Sequence, residues 1–285
     1  MKPSALKQKL TQIKDLATLP VIANNVIQMT RNPKTTATEV GRAISHDPAL
    51  TAQILRIANS ALYGFPQKIT TVNHAIVVLG FANIRNMVLT ASVFEKFPGS
   101  SPHRQFDREA FWEHSLTCGL SAKLLARKLG MKTVEEAFIW GLLHDLGKVV
   151  LDSFFNQEFT QAVQLSAQQN ILLREAEEQI IGMNHAEIGG LVAEQWNLPP
   201  ALIKAIRFHH EPLLAQESTR IAALVHLADF LCRSKDLSSG GDRLIPPLSL
   251  KAVQRLGLTP ESMPDLLAEI ETEAAVTDSL LPLLH

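Results

Sequence analysis

The residues best equipped for chemistry lie together in the stretch Gly141-Leu142-Leu143-His144-Asp145-Leu146-Gly147-Lys148. His144 and Asp145 are adjacent and offer an imidazole nitrogen and a carboxylate oxygen, a donor pair suited to Zn, Mn or Fe at a hydrolytic centre. Lys148, three residues on, could face a phosphate. Around them Ile139, Leu142, Leu143, Leu146, Val149 and Val150 recur at roughly helical spacing, which puts the polar atoms close to a core. Buried there without partners they would be costly, so other groups must meet them.

The dipeptide alone does not define a site, because His46-Asp47 repeats it and is followed by Pro48. Pro favours the first helical turn and Asp ahead of it caps well, so this copy reads as a helix boundary. What distinguishes Asp145 is its company. His114 falls on the face that carries Phe111, Cys118 and Leu125 and so points inward, where a histidine takes either a hydrogen-bond partner or a metal. His185 stands near a helix start, as a capping residue or as a ligand. His209-His210 end a helix, where the dipole alone already favours an imidazolium. Asp229 follows the apolar stretch Ile221-Ala222-Ala223-Leu224-Val225-His226-Leu227-Ala228 and is the least comfortable of the set on a buried stripe. One shared metal centre satisfies all of these groups together, whereas each otherwise needs its own explanation.

The elements that must position these residues read almost throughout as helix. Leu6, Leu10, Ile13, Leu16 and Ala17 follow the three-and-four spacing of an amphipathic helix that ends at Leu19-Pro20. Helices are predicted over 23–31, 37–45 and 48–62, then over 72–79 and 81–95 on either side of Gly80. Pro98-Gly99-Ser100-Ser101-Pro102 is the clearest break. Beyond it a helix over 106–129 is capped by Asp107 and closed by Gly130. Further helices fit 133–151, 153–169, 172–181, 184–196, 199–210 and 217–233, with a loop over 235–247 and helices over 249–256 and 261–275. The predicted fold is all-α, with an N-terminal helical lobe over 1–105 packed on a metal-site lobe over 106–233, and a loop and C-terminal helical tail over 234–285. No strand and no internal repeat is legible.

With 285 residues, 46% hydrophobic and 19% charged, the chain can bury a substantial core. Its first residues, Met1-Lys2-Pro3-Ser4-Ala5-Leu6-Lys7-Gln8-Lys9, lack the apolar centre of a signal peptide, and the fully apolar runs are too short to span a bilayer. Cys118 and Cys232 have no CxxC partner, so a reducing compartment fits and a cytoplasmic location without a membrane partner is expected. Residues 1–105 hold 12 Lys/Arg against 4 Asp/Glu, and residues 106–285 hold 15 against 24. That asymmetry suits an anion-binding lobe or a docking of one lobe on the other. The basic residues are scattered and show no recognition-helix pattern, which disfavours nucleic acid as a partner.

The order His114, His144-Asp145 with Lys148, His185, His209-His210 and Asp229 resembles the HD superfamily of metal-dependent phosphohydrolases. A closer resemblance is to the HDOD family, a bacterial signalling branch of that superfamily. It is carried by Leu19-Pro20, by His46-Asp47-Pro48-Ala49-Leu50 with Ile54-Leu55-Arg56-Ile57-Ala58-Asn59-Ser60, by Ala75-Ile76-Val77-Val78-Leu79-Gly80 and by the HD segment, over roughly residues 18–232. The resemblance implies an all-α fold and a regulatory role with protein partners. Many family members have lost the metal ligands, and this chain retains them. Two features of the related HD-GYP proteins, which hydrolyse cyclic di-GMP, are absent. Pro212-Leu213-Leu214-Ala215-Gln216 replaces the Gly-Tyr-Pro signature, and Ala110 stands where a glutamate one turn before the first histidine is expected, with Glu109 and Glu113 nearby.

Two functions follow from the resemblance. The first is an intracellular signal-transduction protein with a retained HD-type site for one or two divalent ions, Fe, Mn or Zn. The alternative is an active phosphohydrolase of a nucleotide or other phosphoester. In that case His114, His144, Asp145 and Asp229 hold one metal, and Asp145 bridges to a second on His185 and His209. Lys148 would offset phosphoryl charge, and His210 would bind substrate or protonate the leaving group.

Overall fold

The computed structural model describes the chain except residues 1, 2, 14, 15, 17, 99–105, 236, 239, 241–243 and 285. Every regular element among the described residues is helical, as the all-α reading expects. The α-helices are α1 (Pro3–Gln12), α2 (Val21–Arg31), α3 (Ala37–Ser45), α4 (Pro48–Ala58), α5 (Val72–Lys96), α6 (Arg108–Lys128), α7 (Val134–Leu142) and α8 (Leu146–Phe154). They continue as α9 (Asn156–Gln169), α10 (Leu173–Ile180), α11 (His185–Gln195), α12 (Pro200–Phe208), α13 (Thr219–Ser234), α14 (Leu250–Arg255), α15 (Met263–Ala274) and α16 (Thr277–Leu284). The chain forms two compact units, Thr18–Pro98 with Ala275–His285, and Met1–Ala17 with Gly99–Ala274. The ends therefore group differently from the linear division into 1–105, 106–233 and 234–285. The expected break at 98–102 lies, beyond Pro98, outside the described residues, as do Ala17 of the first predicted helix and Gly241 of the 235–247 loop.

In the unit Thr18–Pro98, polar residues at the helix ends set the boundaries. Thr36 and Glu39 form a capping box: Thr36 Oγ1 accepts the Glu39 N–H at 3.3 Å and Glu39 Oε2 accepts the Thr36 N–H at 2.7 Å. Asp47 Oδ1 accepts the Leu50 N–H at 3.0 Å ahead of Pro48, so the second His-Asp pair is a helix cap. α4 stops at Ala58, short of the predicted end at 62, because Asn59 turns its amide to the next segment. Its Oδ1 accepts the Ile69 N–H at 2.7 Å, and its Nδ2 donates to Ile69 O at 2.8 Å. Gly80, at φ 79° and ψ 166°, breaks α5 into the two expected helices. By length and composition α5 could cross a membrane, yet 56% of its apolar window is buried, with Ile84 and Val88 in the unit's core.

The other unit is built around α6, which packs against α7, α13 and α15. The leading segment is tied to it through Trp196, whose buried Nε1–H donates to Leu16 O at 2.7 Å. The helix predicted over 133–151 is in fact two, with Leu143, His144 and Asp145 forming the turn between α7 and α8. Leu146 N–H returns to Leu143 O at 3.1 Å and Lys148 N–H to Asp145 O at 2.9 Å. Apolar spacing does not expose this break, because Leu142, Leu143, Leu146, Val149 and Val150 are buried on both sides of it. The new direction of α8 lets Gly147 meet α11 so closely that a Cβ there would lie 1.9 Å from His185 O. A buried ion pair clamps the far end of α8 to the start of α6: Arg108 Nε lies 2.7 Å from Asp152 Oδ2, and Arg108 Nη2 donates to Ser153 Oγ at 2.6 Å. A 3₁₀ turn over Pro212–Ser218 takes up most of the connection from α12 to α13, and α16 extends the helical tail past its predicted end.

Candidate metal centre

His114, His144, Asp145, Lys148, His185, His209, His210 and Asp229 come from five separate stretches of chain and meet in one place. α6 brings His114, the α7–α8 turn brings His144 and Asp145, and α8 brings Lys148. α11 begins at His185, α12 ends just before His209, and α13 brings Asp229. All are closed off from solvent except His210, which is half-buried. Local structure leaves the functional atoms uncommitted. Asn184, rather than His185, caps α11 in a box with Glu187, so His185 turns inward. Asp145 stands at the cap position of α8 but makes no side-chain cap bond.

The histidines share one orientation. His144 Nδ1 lies 2.7 Å from Gly141 O, His209 Nδ1 2.8 Å from Ile206 O, His185 Nδ1 2.7 Å from Glu177 Oε2 and His114 Nδ1 2.9 Å from Ser238 Oγ. Each therefore presents Nε2 to the centre. Asp145 Oδ1 is 3.1 Å from His185 Nε2 and 3.4 Å from His209 Nε2, and Oδ2 is 3.3 Å from His144 Nε2 and 2.8 Å from Lys148 Nζ. Asp229 Oδ1 is 3.1 Å from His114 Nε2 and 3.9 Å from His144 Nε2. By proximity the donors fall into two groups, His114, Cys118, His144 and Asp229, and Asp145, His185, His209 and His210. His210 joins the second through an Nε2 to Nε2 distance of 2.8 Å to His185.

Burial and neighbours set the charge states. Burial works against ionising Asp145, but the His144, Lys148 and His185 charges hold its carboxyl well below the usual range. Asp229 is likewise lowered against burial, by the Arg233 guanidinium and a hydrogen bond from His114. Burial pushes His114 and His209 down to about 4, which keeps them neutral and able to donate a lone pair. For His185 burial acts in the same direction, yet Glu177 and Asp145 outweigh it and raise the imidazole to about 9. Cys118, 3.5 Å from His114 Nε2, is raised well above its usual range by burial and by Cys232, so it stands as a thiol.

Several members of the centre lie outside the residues that the sequence singles out. Glu177, fully buried, holds His185. Arg233 donates through Nε to Asp229 Oδ1 at 2.6 Å, and Ser238 meets His114. Arg233 sits one helical turn after Asp229, a spacing that could have paired them. Lys148 Nζ contacts Asp145 and donates to Gly240 O at 3.2 Å, so its ammonium braces Asp145 against Gly240. The donor set fits a divalent transition metal. His144 Nε2 and His209 Nε2 are sealed from solvent without a hydrogen-bond partner, beside two ionised carboxylates, a mixture of N and O donors that suits Zn, Mn or Fe.

The sequence model of the HDOD domain matches residues 16–212. The fold is similar to the crystal structure of an HDOD domain protein with unknown function from Geobacter sulfurreducens, at 27% identity and a TM-score of 0.76, covering 96% of this chain and 99% of that one. An uncharacterized protein of Treponema pallidum is 27% identical over 227 residues, 79% of this chain and 44% of its own length. Ribonuclease Y of Geobacter metallireducens is 29% identical over 136 residues, 48% of this chain and 20% of its own length. The chain thus spans less than half the length of these two curated relatives.

Proposed function

Because the chain belongs to the HDOD domain family, we propose that it is a bacterial signal-transduction protein whose HD-type centre binds a divalent transition metal and whose output passes through protein partners in the cytoplasm. The observation that carries the metal is the common orientation of four imidazoles, each fixed at Nδ1 and each presenting Nε2 to Asp145 or Asp229. Outer partners of this kind fix tautomer and ring plane at metal sites. The regulatory part of the reading rests on family membership.

His114, His144 and Asp229 would hold one ion, and His185, His209 and Asp145 a second, with Asp145 within reach of His144 as well. When bound, such a metal supplies Lewis-acid polarisation and acidifies water to a pKa of about 7. Around it the chain's own residues keep the centre dry and rigid. Lys148 neutralises Asp145, Arg233 neutralises Asp229, and Glu177 keeps His185 turned inward. A second reading, a metal-dependent phosphohydrolase acting on a nucleotide or other phosphoester, is favoured by His210, which reaches the donor group from the wall of an open cavity. The likeness to Ribonuclease Y supports the same alternative.

Elemental analysis of the full chain, purified without chelator, tests the metal. About one or two transition-metal ions per chain are expected, and a metal-free protein overturns the reading. A screen of phosphoesters and cyclic nucleotides with added Mn or Fe then separates the two functions. Asp145→Ala protein that has lost its metal but keeps its regulatory phenotype supports signalling without turnover. Joint loss of turnover and phenotype supports the hydrolase.

A further inference from the structure

Beside the donor groups a cavity of about 430 Å³ opens between α10, α11 and the end of α12. Its inner wall includes His210, whose Nε2 touches His185 while its Nδ1 is buried without a hydrogen-bond partner. The same cavity is lined by Arg174, whose Nε is also sealed from solvent and unpartnered. Two unmet polar nitrogens lining one cavity are costly in a folded protein, and a guanidinium together with an imidazole is a good receptor for the oxygens of a phosphate. Arg207 lines the cavity too, but its Nη1 is committed to Glu194 at 2.7 Å. The cavity's carboxylates sit elsewhere. Glu178, Glu187 and Glu211 are solvent-exposed at the rim, and the first two accept hydrogen bonds from Asn184 at 2.7 and 3.2 Å. The mouth also has an apolar side, formed by Phe208 and by Leu214, which is 59% exposed.

We propose that this cavity binds a small phosphomonoester carrying a flat apolar group, of the kind a nucleoside 5′-monophosphate represents, with the phosphate on Arg174 and His210 and the flat group against Phe208 and Leu214. The inner donors are cationic or neutral and the acids stay in water, so a ligand enters phosphate first. The inference uses the metal-centre reading only for what lies beyond the phosphate, since Arg174 belongs to neither donor group.

Calorimetric titration of the full chain with adenosine 5′-monophosphate, inorganic phosphate and adenosine tests it, with metal content measured on the same samples before and after chelation. The nucleotide binds most tightly, phosphate more weakly and adenosine not measurably. Arg174→Gln weakens nucleotide binding at least tenfold with unchanged metal content, and Arg174→Lys, which keeps the charge if the neutral variant fails to fold, weakens it by less. Nucleotide affinity that is unchanged in both variants, equal binding of adenosine, or no binding of either phosphate probe overturns the proposal. A wild-type chain that holds metal but binds no phosphate leaves the metal reading standing and removes this one. A chain that binds the nucleotide through Arg174 without any metal does the reverse.

Discussion

Glu177 grips His185 twice: its Oε2 accepts the His185 backbone N–H at 2.8 Å and lies 2.7 Å from Nδ1. Both residues are buried, and among the described residues Glu177 alone meets His185 Nδ1 with a carboxylate, so it decides which imidazole nitrogen faces Asp145. Glu177→Gln keeps the shape and removes the charge. The expected result is a folded protein whose metal affinity falls roughly 10–100-fold, the usual cost of losing an outer partner. Competition with a chromophoric chelator measures it. An unchanged affinity sinks the assignment of Glu177 as the group that orients His185.

Gly147 makes the second contact on which the centre depends, because α8 can carry Asp145 to His185 only if the two backbones touch. A Cβ at Gly147 would meet His185 O at 1.9 Å, a backbone atom with no room to retreat. At Gly189, on the other side of the same contact, a Cβ would lie 2.8 Å from Ile206 Cγ2 and 3.0 Å from Gly147 N, a much milder overlap. Gly147→Ala is therefore expected to cost about 3 kcal/mol or more and to lose metal, while Gly189→Ala costs less. Urea midpoints and metal content of the two variants check the order, and equal losses would contradict it.

What could be read from the sequence follows from how local each signal is. Asp47 and Asp107 cap their helices as their positions before Pro48 and Arg108 suggest, and Gly80 divides α5, because caps and breaks are decided within a few residues. His114 and Asp229 stood out because a polar side chain on an apolar helical face has to be explained. Glu177 did not, since α10 is a polar helix in which a glutamate looks like a solvated residue; only the burial of Leu173 and Ala176 beside it reveals that this face is inward. The turn at His144-Asp145 was hidden for the opposite reason. Every apolar residue around it is buried in both helices, so the spacing fits one helix as well as two. Ser238 lies in a loop, where periodicity carries no information.

The capping box at α3 gives a prediction in pH. The Thr36 backbone N–H and then the Thr36 side chain hold the Glu39 carboxyl below its ordinary range. A folded-state pKa that is lowered stabilises the fold above the unfolded pKa, and this contribution disappears as pH falls through the folded value. Wild type should therefore melt higher than Glu39→Ala near neutrality, and the gap should shrink once pH falls below the ordinary glutamate value of about 4.3 and close below the lowered folded value, where the carboxyl is protonated in both states. Thermal melts across that range check it. A gap that persists at low pH would mean that packing, and not the ionised cap, carries the difference.

The ion pair between Arg108 and Asp152 separates the energy of a pair from the cost of breaking it. Both side chains are buried, 6% and 1% exposed, and together they fasten α8 to the first turn of α6. Removing the guanidinium takes the opposite charge from a buried carboxylate, and breaking a buried pair in this way costs about 3–5 kcal/mol. Arg108→Met is expected to lose stability on that scale in urea denaturation. Replacing both partners, as Arg108→Met with Asp152→Leu, leaves no charge to strand, and such replacements are often neutral or stabilising. The double variant should recover most of the loss while the metal centre, at the other end of α8, keeps its ion. If the double variant is as unstable as Arg108→Met alone, the pair contributes through its hydrogen bonds to Ser153 and Asn156 and not through charge balance.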